Sequence, residues 1–224
     1  MLFLPGVHQV FAGAGNLTLP TVEYAGRLGS FSGSLTLGDE AGGRRIVVCQ
    51  VDREVDASSN YLTGGTIGGF SVNLAYAVAQ SDPIGVFWAF APSGTGSITC
   101  SATMASGDWS NLRAYILRNV DTLVDNLTIG GTGGFGPIVV ERPSVIVAAE
   151  RSRSSRPSTS LDFEFSSNFL SSNVDVSYNS GGGGNRSVGM AHAITKQFAY
   201  AGDIGDATME SSSTDLDGCA LVFQ

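Results

Sequence analysis

The sequence predicts an all-β protein: an antiparallel β-sandwich, jelly-roll-like, with a Gly-rich N-terminal arm. Three observations point there. Short segments alternate apolar and polar residues with period two, which sets one face of a pleated strand against a core and the other in water. The chain holds 30 glycines among 224 residues, about twice the usual share of roughly 7%. They cluster with Ser, Thr and Asn between apolar runs, where tight turns need them. Strong helix formers are scarce: Lys196 is the one lysine, and no capped helical pattern exceeds about two turns.

Residues 1–43 show short apolar pieces without a clear period and read as an N-terminal arm or edge strands, and residues 44–224 as the sandwich domain. Within Met1–Gly15, the apolar Phe3, Leu4, Val7, Val10 and Phe11 are interrupted by Pro5 and glycines, so this piece is expected to dock on a neighbouring subunit. Arg45–Val51 is a continuous apolar run, expected as a buried strand. Gly69–Gln80 alternates, Ile84–Ala91 is strongly apolar and stops at the Pro92 turn, and Ser97–Thr103 and Arg113–Val120 alternate again. Ser144–Ala149 is a second continuous run; Leu161–Phe165, Val174–Tyr178, Val188–Ala201 and Gly218–Phe223 complete the set. The expected core includes Ile46, Val48, Phe87, Trp88, Ile116, Val145, Val147 and Leu221. VDREVD at residues 51–56 followed by LTGGTIGGF is echoed by VDTLVD at 120–125 followed by LTIGGTGGF. Either an internal duplication or shared turn chemistry accounts for the echo.

The formal charge of −8 argues against nucleic acid as a partner, since that footprint is basic. Cys49, Cys100 and Cys219 each sit in an apolar or alternating run and read as buried thiols. The N-terminus lacks the basic start and unbroken apolar stretch of a signal peptide, and no window approaches the ~20 apolar residues of a membrane span. Synthesis in a cytoplasm without a secretion signal is the expectation.

The sequence offers no GxSxG, HExxH or GxxxxGK[ST] pattern. His192 alternates with Met190 and Ile194 and reads as a packed ring. Asp52/Asp56 and Asp121/Asp125 read as loop residues beside glycines. No catalytic residue, cofactor or metal is expected. The contact candidates are Trp109, in an SGDWSN loop, and Arg151, Arg153 and Arg156, an arginine cluster in an acidic chain. An exposed tryptophan makes a sugar platform or an interface anchor, and arginine binds carboxylate or phosphate bidentately.

GRRIVVCQVDREVD, TIGGFSVNLAYA and IGVFWAFAPSGTGSITCSATMASGDWSNLRAYILRNVD together resemble β-sandwich accessory proteins of tailed phages and related gene-transfer-agent-like particles. The pattern is an Arg-opened apolar strand, an IGG turn, an aromatic strand with Trp, a Pro-x-Gly turn and a Val-Asp exit. It covers roughly residues 43–125, with an echo in PSVIVAAERS and the closing GCALVFQ. The resemblance implies a virion structural or adhesion role in a head spike, fibre, tail or decoration. It implies partners that are other particle subunits or copies of the same chain, and a host-surface glycan. It brings no catalytic residues. The alternatives are a free-standing lectin-like module and a two-carboxylate glycan hydrolase.

Overall fold

The structure, a computed structural model, describes residues 18–38, 44–52, 61–77, 84–105, 111–131, 135–140, 142–152, 163–166, 168–179, 187–196, 205–211 and 216–224. The N-terminal half comprises β1 (Thr21–Gly29), β2 (Ser32–Thr36), β3 (Arg45–Asp52), β4 (Leu62–Ile67), β5 (Phe70–Ser71), β6 (Asn73–Ala77), β7 (Ile84–Phe90), β8 (Ser97–Met104) and β9 (Asn111–Arg118). The C-terminal half comprises β10 (Leu123–Gly131), β11 (Phe135–Val140), β12 (Val145–Ser152), β13 (Phe163–Phe165), β14 (Phe169–Asn179), β15 (Ser187–Thr195), β16 (Gly205–Ser211) and β17 (Leu216–Phe223). Among the described residues there is no helix, hence none long and apolar enough to cross a membrane.

The strands form four antiparallel sheets stacked in layers. An outer sheet, β2-β8-β4-β5, packs on an inner sheet, β1-β9-β3-β7-β6, and encloses Val47, Cys49, Phe87, Cys100 and Ile116. The second inner sheet, β10-β17-β12-β15-β14, packs on the outer sheet β11-β16-β13 around Ile138, Ile146, Ala191 and Val222. The two inner sheets meet face to face over Ile46, Val48, Tyr115, Val147, Met190 and Leu221. This layering explains the two sequence patterns. β3 is buried at every position because both its faces are covered, so it reads as a continuous apolar run. β8 lies in an outer sheet with water on one side, and its burial alternates.

The strand orders of the halves coincide. β1 to β4 answer to β10 to β13, and β6 to β9 answer to β14 to β17, each in the same place in its sheet. The correspondence extends to single bonds: Ala91 N–H donates to Arg45 O at 2.8 Å, and Thr195 N–H donates to Ser144 O at 3.0 Å. Even a β-bulge repeats. One extra residue, Ala75, stands between Leu74 and Tyr76 where β6 pairs β7, and Asp175 stands likewise between Val174 and Val176 where β14 pairs β15. Following the pairings, Trp88 matches His192 and Tyr115 matches Leu221. At the seam, Trp88 of β7 meets Phe223 of β17, while His192 of β15 meets Tyr115 of β9. Corresponding strands thus exchange roles, as in an isologous two-fold contact.

This repeat is not the echo seen in the sequence. VDREVD begins at the end of β3 and VDTLVD just after β9, and these two strands are neighbours in one sheet. The echo does not mark the repeat of the fold, in which the partner of β3 is β12. Residues 21–36 supply two edge strands, β1 and β2, while Met1–Gly15 lie outside the described residues. Ile46, Val48, Phe87, Ile116, Val145, Val147 and Leu221 are buried as expected. Trp88 is only partly buried, with edge-on contacts to Phe90 and Phe223 at centroid separations of 6.0 and 5.5 Å, because it stands at the margin of the seam. All three cysteines are free and buried.

Candidate functional site

The N-terminal half carries a groove of about 690 Å³, within the usual range for small-molecule sites of roughly 300–1,000 Å³. Its lining includes Arg44, Phe70, Ser71, Asn73, Phe90 and Ser93. Phe70 is set there by the β4–β5 hairpin, whose two-residue turn is Gly68–Gly69 with φ of 60° and 84°. Both central positions of such a turn need positive φ, which glycine supplies without strain. A Cβ on Gly68 would also press on Pro92, 2.8 Å away. The opposite wall is the turn at Pro92–Gly94, pinned from beneath by Arg45. Its buried guanidinium donates to Gly38 O at 3.1 Å, Pro92 O at 3.2 Å and Gly94 O at 2.5 Å. Arg44 behaves differently from its neighbour. It is exposed, and its guanidinium carbon lies 4.6 Å from the centroid of the Phe90 ring.

A second polar cluster lies in the seam between the inner sheets. The bulge turns Asp175 inward, where its side chain is 3% exposed. Asp175 Oδ2 accepts from the Tyr115 hydroxyl and lies 2.6 Å from His192 Nδ1; Oδ1 accepts from Asn173 Nδ2 at 2.7 Å. A carboxylate oxygen only accepts, so the ring proton sits on Nδ1. On the facing sheet Arg113 donates to Asp52 Oδ2, and Asn111 Nδ2 donates to Asp52 Oδ1 at 3.0 Å. Asp52 is wholly buried within a strand, so it is not a loop ligand as its sequence neighbours suggested. His192, packed edge-on against Tyr115 and bonded to Asp175, is the satisfied ring that its pattern indicated. Among the described residues, no group of three His, Cys, Asp or Glu side chains is placed to hold a metal ion.

Burial of protonated groups in these layers makes the fold sensitive to base. Burial pushes the Tyr115 phenol well above its ordinary value of 10.0, with the charge of Asp175 adding to the shift. Burial likewise raises the Cys219 thiol above 9.0. The unfolded chain releases these protons first, so stability is intact below about pH 9 and falls as pH rises above it. Each group removes about 1.4 kcal/mol per pH unit once its unfolded form ionises. Urea unfolding at pH 8.0 and 10.5 is expected to show a loss of about 3 kcal/mol, and Cys219→Ala should flatten the fall. A profile unchanged to pH 10.5 would mean that the Cys219 thiol is solvated.

Of the sequence candidates, Arg151 lies on β12, 1% exposed, in register with Val188 and Asp217. Strand alternation turns it into the seam with Val145, Val147 and Ala149, so it is no surface loop contact. Trp109, Arg153 and Arg156 lie outside the described residues. The groove joins residues from three separate stretches, 44–45, 70–73 and 89–93, that no sequence motif connects. The one local hint was the Arg44–Arg45 doublet opening a buried strand. Comparisons with protein-family models, curated proteins and solved structures found no match.

Proposed function

We propose that the chain is a non-enzymatic structural and adhesion subunit of a tailed-phage-like particle, joining other particle subunits or copies of itself, and that each half winds as a jelly roll. The carrying observation is where apolar surface is left open. Leu74, Val124, Val139 and Leu170, each 45–54% exposed, lie on β6, β10, β11 and β14, every one of them a strand at the edge of its sheet. An edge offers unpaired backbone, and large apolar side chains beside it favour a covering neighbour. The jelly-roll reading is supported by how the chain alternates between inner and outer sheets: β1 in, β2 out, β3 in, β4 and β5 out, β6 and β7 in, β8 out, β9 in. That winding serves capsid and lectin domains alike.

Light scattering over a range of concentrations is expected to give a mass of several chains. Leu74→Lys together with Leu170→Lys should shift it towards one chain without altering the circular dichroism spectrum. A native chain that stays monomeric and does not sediment with its particle would overturn the assembly reading.

A further inference from the structure

We propose that the groove bounded by Arg44, Phe70, Asn73 and Phe90 binds a carboxylated sugar, the acidic residue of a surface glycan; this rests on the adhesion part of the function proposed above. The argument begins with Arg44. Four other described arginines are committed to acceptors: Arg45 to carbonyls, Arg113 to Asp52, Arg118 to Glu23 and the Leu37 carbonyl, Arg142 to Gln224. Arg44 stacks on Phe90 and has no hydrogen-bond or ion-pair partner among the described residues. In a chain of net charge −8, an arginine left without a carboxylate at a groove wall is out of keeping with its surroundings. Stacking on a ring holds the guanidinium plane in one orientation while its in-plane N–H bonds remain free to take a carboxylate bidentately.

The rest of the lining fits a sugar better than a bare anion. Phe70 is 58% exposed, and its ring offers a platform for the C–H face of a pyranose. Asn73, Ser71 and Ser93 supply an amide and two hydroxyls for ring hydroxyl groups. The walls are prebuilt by the Gly68–Gly69 turn and by the Arg45 bonds beneath Pro92, so little ordering remains to be done on binding.

The duplicated fold provides an internal control. The bond pair Ala91–Arg45 and Thr195–Ser144 aligns the two halves, and it matches Arg44 with Pro143 and Phe90 with Ile194. Asn73 is matched by Asn173. The same architecture therefore stands in the C-terminal half without the arginine–phenylalanine stack. That stack is not a requirement of the fold.

The test uses the full chain and titrates it with 3′-sialyllactose and with trigalacturonate. Lactose and the methyl-esterified trigalacturonate serve as neutral counterparts, and acetate and a short peptide with a free C-terminus as non-sugar carboxylates. The expected result is binding of the acidic sugars, at least about tenfold tighter than of their neutral counterparts. Arg44→Ala and Phe70→Ala should each weaken it about tenfold or more, and Lys196→Ala, at an exposed charge of the C-terminal half outside the groove lining, should leave it unchanged. Equal binding of acetate would reduce the groove to a general anion site and overturn the proposal. Preference for the peptide would overturn it in favour of a protein tail, and no binding of any probe would overturn it outright. A chain that assembles normally yet binds no sugar defeats this proposal alone; one that binds acidic sugars but stays monomeric defeats the assembly reading alone.

Discussion

Replacing Asp52 with alanine is expected to cost the fold about 3–5 kcal/mol, read as a lowered urea midpoint with an unchanged slope. The side chain of Asp52 is fully buried and that of its partner Arg113 is 7% exposed. Removing the carboxylate leaves a guanidinium enclosed between two sheets, far from the water that would solvate it. The Asn111 amide loses its acceptor in the same step. The pair itself need not be a large net gain, because bringing both charges out of water offsets most of their attraction. Asp52→Leu combined with Arg113→Met should therefore recover much of what the single change loses. A loss below about 1 kcal/mol for Asp52→Ala would show that water reaches the pair.

Phe87→Ala is expected to be as damaging, at about 3–5 kcal/mol. The ring is fully buried between the outer and inner sheets of the N-terminal half, and its edge lies 3.3 Å from where a Cβ on Gly65 would stand. The two sheets are held apart by many strands and cannot collapse into the space left behind, so a cavity persists. Trp88→Ala, one position along, should cost less despite the larger side chain, because Trp88 is already partly solvated. Thermal unfolding of the two variants side by side decides the order, and a greater loss at Trp88 would mean that the faces of β7 are assigned the wrong way round.

The two substitutions show what was legible in the sequence. Period-two alternation located strands such as β8, and continuous apolar runs located β3 and β12 as strands covered on both faces. Period alone does not say which face of a continuous run meets which layer, so Trp88 was expected to be fully buried. The VDREVD and VDTLVD echo lies at a different spacing from the repeat of the fold. What repeats is the order of strands, a bulge and a backbone bond, none of which dictates side-chain identity: Ala75 stands where Asp175 does, and Trp88 where His192 does. Arg151 was read as part of a basic loop because Arg153 and Arg156 follow it, yet strand register carries it into the interior. The groove is illegible in the sequence for a plainer reason. Arg44, the Phe70–Asn73 stretch and Phe90 come together only through long-range strand pairing and packing, and no local pattern announces a long-range contact.

The repeated bulge and the shared seam have a consequence for how such a molecule can change. In a dimer of identical chains every substitution at the contact is made twice, once on each side of the axis, so a residue that suits one place must also suit its mirror. Joining the halves through residues 119–122 lifts that obligation. One end of the seam is then free to hold Trp88 against Phe223, while the other exchanges aromatic bulk for His192, Asp175 and the Tyr115 hydroxyl. Within one chain such a contact has two distinct ends, and either half can carry a surface feature that the other never has to tolerate.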